Sequence, residues 1–324
     1  MKRIGFLFDR IVERENLLSA YRLASRGKSL SDERRAFESD LENNLQTLAA
    51  GLRDGTSPVG RYRRFMIHDP KEREICAASF PERVLHHALM NVCGPCFEKW
   101  LIFDSYANRE GKGQLRAVRR AREFAARNRW FLKCDIRKYF DSIPHETLNS
   151  VLARKFKDPH VLYWFRKLIA SYSKTLGRGL PIGNLTSQYF ANLYLYAIDR
   201  VAAPYVRYMD DFVFWSDDKD GLKGILETVR GIAANRLGLE LKAEPFINRT
   251  RSGMDFLEFR VFPDRINLSR SSASRYFRRV RAIVRDCRDE RRMQERLSSM
   301  TAFVAQADTL ALRREKFRNL YEGV

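Results

Sequence analysis

The run YVRYMDDFVFW, Tyr205 to Trp215, limits the possible folds more than any other stretch of this 324-residue chain. Valine, tyrosine, phenylalanine and tryptophan favour a pleated, half-buried surface from which aspartate is depleted. Yet Asp210 and Asp211 stand side by side in its middle. Adjacent acids repel, and burying either one unpaired costs several kcal/mol. A hairpin with the pair at its turn accommodates them, because aspartate serves turns well. A metal platform at the hairpin tip accommodates them too, and explains the like-charge crowding.

A further carboxylate comes from FLKCDIRKYFDSI, Phe131 to Ile143. Phe131 to Asp135 reads as a strand ending on an acid where the chain turns into a helix. Taken alone, Asp135 serves equally well as a helix N-cap. If this strand neighbours the hairpin, three carboxylates converge at one end of a sheet and require divalent cations. Mg²⁺ takes few carboxylates, plus waters and substrate phosphates. Two such ions about 3.5–4 Å apart clamp the attacking and leaving oxygens of a phosphoryl transfer. Asp135, Asp210 and Asp211 are the expected ligands.

The charge balance points to a partner. Sixty Lys and Arg against 40 Asp and Glu give a formal charge of +20. A chain this basic most simply meets a polyanion, and phosphate backbones are the commonest one. A hydrophobic content of 44% with 22 Phe implies a folded core. No apolar run approaches the roughly 20 residues of a membrane span. The opening MKRIGFLFDRIVERE carries acids too early for a signal peptide and starts an amphipathic helix. A cytoplasmic location, with no membrane, is therefore expected.

Five cysteines (76, 93, 96, 134 and 287) form an odd set that suits reduced thiols. Cys93-Gly-Pro-Cys96 has the form of a redox motif, but helical periodicity runs into it where a strand is needed. Zinc on His86, His87, Cys93 and Cys96 lacks a second cysteine pair of ribbon spacing. Buried thiols at a helix end, with Gly94-Pro95 ending the helix, are the expectation.

Along the chain, helical period covers residues 10–53, and a strand–turn–strand follows with its turn at Asp69-Pro70. Helices are expected at 81–103, at 115–129 and through 145–172. A further helix after the loop GRGLPIGNLTSQ is capped by Thr186 or Ser187. Phe190, Leu193, Tyr194, Ala197 and Ile198 continue its apolar stripe. Beyond the hairpin come a helix to about Leu237 and short strands near LELKA and DFLEFRVF. One long helix, Ser269 to Leu297, then carries ten Arg against four acids. Helices on either side of a small sheet indicate an α+β or mixed α/β fold, not a doubly wound one.

In this order the motifs resemble those of reverse transcriptases over nearly the whole chain. YMDD resembles the palm signature, FLKCDIRKYFDSI the first catalytic strand, and FLEF (256–259) the primer grip. The resemblance implies a right-hand polymerase fold with a mixed or antiparallel palm sheet and a helical thumb. It divides the chain into an N-terminal helical extension (1–55), fingers (56–130), palm (131–265, with finger-contributing helices at about 145–185) and a basic thumb (266–324). It implies two Mg²⁺, with Mn²⁺ as substitute, held at Asp135, Ile136, Asp210 and Asp211. For the incoming deoxynucleoside triphosphate it implies Lys71 and Arg73 of DPKEREI, together with Phe140, Ile182, Gly183 and Lys242. Phe140 stands where the family keeps an aromatic that excludes a ribose 2′-hydroxyl, with Tyr139 beside it. Template RNA and the RNA/cDNA duplex would meet Arg109 and Lys112 in NREGKGQ, Phe256 and Leu257, and Arg275, Arg278 and Arg279.

PIGNLTSQ, Pro181 to Gln188, narrows the resemblance. Most reverse transcriptases begin this loop with Gln-Gly and end it with Ser-Pro. Ile182-Gly183 and Ser187-Gln188 are instead similar to the diversity-generating retroelements, whose enzyme copies a template-repeat RNA with errors opposite adenine. That class implies a basic, pentameric accessory protein as partner. Group II intron, retron and defence-associated reverse transcriptases are the alternatives. Glu258 departs from the glycine usual in the primer grip, so a different backbone is expected there.

Overall fold

The computed structural model describes residues 3–27, 29–68, 72–242, 245–287, 289–311 and 313–314. The chain opens with helices α1 (Phe8–Ile11), α2 (Arg14–Ser25), α3 (Asp32–Glu38) and α4 (Leu41–Arg53). A hairpin of β1 (Arg63–Ile67) and β2 (Arg73–Ala77) leads into α5 (Phe80–Trp100). Next come α6 (Gln114–Arg127), β3 (Trp130–Asp135), α7 (Tyr139–Ser142) and α8 (His145–Ala153). Helices α9 (Pro159–Ala170) and α10 (Leu185–Tyr194) precede the hairpin β4 (Tyr205–Tyr208) and β5 (Asp211–Ser216). The rest is α11 (Lys219–Gly231), β6 (Phe246–Arg249), β7 (Met254–Phe256), β8 (Phe259–Val261), β9 (Ile266–Leu268), α12 (Arg270–Asp286) and α13 (Glu290–Val304).

These elements form two compact units, each built from separated stretches of chain. One comprises Met1–Ile102, Ile136–Val201 and Val229–Leu241. Its core is aromatic. Phe97, Phe156, Phe165 and Phe190 are buried, with ring centroids 5.0–6.2 Å apart in tilted or edge-on contacts. Such contacts align the ring quadrupoles as well as burying area.

The other unit comprises Phe103–Asp135, Ala202–Thr228 and Lys242–Val324. Its main sheet has the order β4-β5-β3-β6 and is antiparallel throughout. A second antiparallel sheet has the order β7-β8-β9. Period-2 alternation puts Phe131, Val213 and Trp215 on one face of the main sheet. There they join Ala117, Val118, Ala121 and Ala125 of α6 and Tyr276 and Val280 of α12 in one core. Small residues on the inner stripe of α6 let that helix lie close to the sheet. The α+β expectation holds.

Several helix boundaries differ from the sequence reading, each for a local reason. Gly94-Pro95 does not end α5, which runs on to Trp100. Pro95 is exposed, so its ring costs a backbone bond but no packing, while Cys93, Cys96 and Phe97 stay buried on the inner side. The two thiols therefore lie inside the helix, and burial raises the pKa of both. The expected helix 145–172 is split into α8 and α9. Asp158 caps α9 by accepting from the Val161 N–H at 3.3 Å, and Pro159 disfavours helical backbone before it. The other oxygen of Asp158 accepts from the N–H groups of Leu7 and Phe8.

The long helix 269–297 is likewise two helices, because Asp289 caps α13 through the Arg292 N–H. At α10 the N-cap position falls to Asn184, with Thr186 and Ser187 buried in the first turn. The stripe beyond Tyr194 continues as a 3₁₀ turn, Leu195–Arg200. After α11 a single π-helical turn, Ile232–Arg236, completes the run to Leu237.

Replacing Pro95 by Ala restores the N–H that α5 lacks. The exposed side chain makes the change free of packing cost, so the chain should gain about 2 kcal/mol. Chemical denaturation should show a higher midpoint at unchanged slope, and an unchanged or lower midpoint would disprove the account.

Candidate active site

Strands β3 and β5 meet in a register that pairs Asp135 with Asp211. Asp135 is the last residue of one strand and Asp211 the first of the other, so the two carboxylates face each other on one rung at the sheet's end. Lys133, two residues before Asp135, shares its face of the strand. Asp210 sits with Met209 in the two-residue turn between β4 and β5, where Tyr208 pairs with Asp211.

That turn is strained. Met209 has φ 57°, the left-handed region that favours glycine, and an L side chain there costs about 1 kcal/mol or more. Arg207, which is fully buried, holds the turn by donating from Nη1 to the Met209 carbonyl at 3.2 Å. The backbone of Arg207 is itself held by the Asp104 carbonyl and the Tyr106 N–H, both at 2.9 Å.

Two lysines answer the paired carboxylates. Lys133 Nζ lies 3.3 Å from Asp211 Oδ2 and also donates to the Asp255 carbonyl at 2.7 Å. Lys242 Nζ lies 3.7 Å from Asp135 Oδ2, and its backbone N–H donates to the Asp135 carbonyl at 2.8 Å. Asp211 keeps one oxygen, Oδ1, enclosed without a hydrogen-bond partner. Burial raises the Asp211 pKa to about 6, Lys133 opposes the rise, and Asp135 adds to it.

Among the described residues no three acidic, histidine or cysteine side chains converge as a closed metal cage. The donor set still fits a hard divalent cation, which needs only one or two carboxylates beside waters and substrate phosphates. The orphaned Oδ1 and the two lysines mark a place that calls for positive charge. Asp135 and Asp211 could hold the ion, with Asp210 at the adjoining turn. Ile136 has a buried side chain and a bridge to Leu241, so only its backbone carbonyl could serve as a ligand.

In the first unit, Arg73 begins β2 and is exposed, while Lys71 lies outside the described residues. Cys76 of β2 donates its N–H to the Ile182 carbonyl at 2.8 Å, so the β1–β2 hairpin and the Ile182-Gly183 loop are joined. Gly183 has φ +117°, and a Cβ there would sit 3.0 Å from Ile75 and 3.1 Å from the Cys76 carbonyl. Phe140 is half-buried, whereas neighbouring Tyr139 is buried and bonded through its hydroxyl to the Ala191 carbonyl. Only the phenylalanine leaves part of its ring accessible.

In the second unit, Arg109 donates to the Ser105 carbonyl and Lys112 to the Phe103 carbonyl, both at 2.8 Å. Lys112 also lies over the Phe103 ring, 3.4 Å from its centroid. Both cations thus brace their own loop. Phe256 is buried in the core and pairs with Phe259. Leu257 and Glu258 make the tight turn between them with φ 50° and 73°, so the glycine-type backbone persists without glycine. Glu258 is held by Arg275 at 3.1 Å. Arg278 and Arg279 are exposed on α12.

Sequence reasoning missed Lys133 and Arg207. Period 2 from Asp135 could have found the first. A lone Arg among apolar residues, one position before the Tyr-Met-Asp-Asp turn, was the signal for the second.

The chain is 26% identical over 169 residues to the group II intron-encoded protein LtrA of Lactococcus lactis subsp. cremoris, covering 49% of this chain and 28% of that protein. It thus spans less than a third of that relative's length. Protein YkfC of Escherichia coli (strain K12) is 23% identical over 281 residues, covering 71% of this chain and 74% of that protein. Among solved structures, apo telomerase from Candida tropicalis matches in fold with a TM-score of 0.50 at 12% identity, over 74% of this chain and 54% of that one. The family model for reverse transcriptase (RNA-dependent DNA polymerase) matches residues 68–246, a stretch that takes in both carboxylate motifs. With more than half its length so matched, the chain belongs to the reverse transcriptase family.

Proposed function

We propose that the protein is an RNA-directed DNA polymerase that copies a template-repeat RNA into cDNA with errors opposite adenine, serving diversification of a target gene. The observation that carries the polymerase reading is the Asp135–Asp211 rung with lysines at both carboxylates. Mg²⁺, with Mn²⁺ as substitute, would supply Lewis-acid stabilisation of the primer hydroxyl and the triphosphate oxygens. Asp135, Asp210 and Asp211 would hold it. Arg73 and Lys71 would neutralise the triphosphate, and Lys242 would stand beside the same carboxylates. Residues 56–130, 131–265 and 266–324 would act as fingers, palm and thumb.

The retroelement class rests on Ile182-Gly183 and Ser187-Gln188 in the loop before α10, and brings with it a basic pentameric accessory protein as partner. A group II intron-like enzyme is the second reading, favoured by the similarity to LtrA. Mutagenic copying distinguishes them.

Asp135→Asn or Asp210→Asn should abolish DNA synthesis while RNA binding survives, because the phosphate contacts lie elsewhere. Residual synthesis within about tenfold of wild type, roughly 1.4 kcal/mol of barrier, would refute the assignment.

Phe140→Ala should admit ribonucleotides while deoxynucleotide use persists. Unchanged sugar discrimination in single-nucleotide insertion assays would move the gate to another side chain. Tyr139, beside it in the sequence and bonded through its hydroxyl to the Ala191 carbonyl, is then the next side chain to test.

Ile182 bears on fidelity. An apolar contact discriminates by only about 1–3 kcal/mol, whereas a hydrogen-bonding site rejects a wrong partner far more strongly. Ile182→Gln should raise accuracy opposite template adenine and alter the other bases less. The readout is the misincorporation ratio at each template base, and no change at adenine favours the intron-like reading.

A further inference from the structure

Helix α6 presents a face that the polymerase reading leaves unused. Its inner stripe, Ala117, Val118, Ala121 and Ala125, is buried against the sheet. Its outer side carries Arg116, Arg119, Arg122 and Arg127, all exposed. Glu123, the one acid of the helix, is taken by Arg120 at 2.7 Å, and Arg120 also reaches Asp104 at 2.9 Å. Arg116 donates to the Gly111 carbonyl. Arg119, Arg122 and Arg127 make no hydrogen bond or ion pair with any described residue.

This arrangement costs stability. Guanidinium groups at i and i+3 (116/119 and 119/122) repel on a helix surface by about 0.2–0.5 kcal/mol each. A helix that needs only solubility mixes both signs. An external polyanion turns the repulsion into attraction. Arginine suits phosphate in particular, because its planar fork bonds two oxygens at once. Twelve residues of helix, Arg116 to Arg127, carry the four cations along about 16 Å, a run matched by consecutive phosphates of one strand.

The face is also turned away from the sheet that bears the carboxylates. Helix α6 directs its inner stripe into the core shared with Phe131, Val213 and Trp215, so its exposed arginines lie on the side opposite those strands. We infer that the outer face of α6 is a docking surface for the phosphate backbone of RNA, engaging a segment distinct from the one being copied. The inference rests on the reading that this protein acts on RNA.

The test compares wild type with an Arg119→Gln, Arg122→Gln, Arg127→Gln variant. All three positions are exposed, so circular dichroism should show the fold unchanged. Binding to poly(U) is measured against salt. Loss of three phosphate contacts on a single strand should reduce the log–log salt slope by about 2, equivalent to about a hundredfold at 0.1 M salt if the curves meet near 1 M. Extension of oligo(dT) on a short oligo(rA) at saturating substrate should be unchanged.

An unaltered slope, with wild type binding RNA, overturns the docking surface and leaves the polymerase reading intact. A variant that keeps its RNA affinity but loses binding to polyglutamate overturns it in favour of an acidic protein. If wild type binds no RNA at all, the polymerase reading falls and this proposal with it.

Discussion

Coulomb repulsion between Asp135 and Asp211, held opposite each other on one rung of an antiparallel sheet, is the constraint around which the second unit is organised. Burial is the main cause that raises the pKa of Asp211, and the facing Asp135 adds to the rise. Lys133 and Lys242 relieve that repulsion from two directions. Each is tied elsewhere as well: Lys133 to the carbonyl of Asp255, Lys242 through its backbone to Asp135. The cations are therefore positioned by the fold, not drawn from solvent.

The surroundings serve the same rung. Trp215, Phe131 and Val213 fix the β3–β5 register by packing beneath α6, and a one-residue slip would turn both acids to the opposite face. Arg207 holds the carbonyl of a left-handed Met209, so Asp210 follows a turn that local preference alone would not form. Strain of this kind persists only where neighbours over-determine it. Leu257 and Glu258 show the same pattern at a second turn, pinned by Gln114 and Arg275.

Much of this was legible in the residues. Period-2 alternation and two acids identified both strands of the rung, and the hairpin followed from Asp at its turn. The failures share a cause: a local signal was weighed without its tertiary surroundings. Gly94-Pro95 reads as a stop, but an exposed proline on a helix with a buried inner side is tolerated. Asp158 and Asp289 read as ordinary charges in long helical runs, and they act as caps that begin new helices. Ion pairs such as Lys133–Asp211 join residues 78 positions apart, and only the strand register reveals them.

The built-in cations change the relation between folding and metal loading. In many small metal-binding domains the ligands repel one another until the ion arrives, so the apo chain does not fold. Here each facing carboxylate already has an ammonium within 4 Å. Assembly of the sheet is thereby uncoupled from the supply of divalent ion. On the metal-site reading, a chain organised this way completes its sheet before any ion arrives, so that metal availability fills a finished site instead of setting a condition for structure.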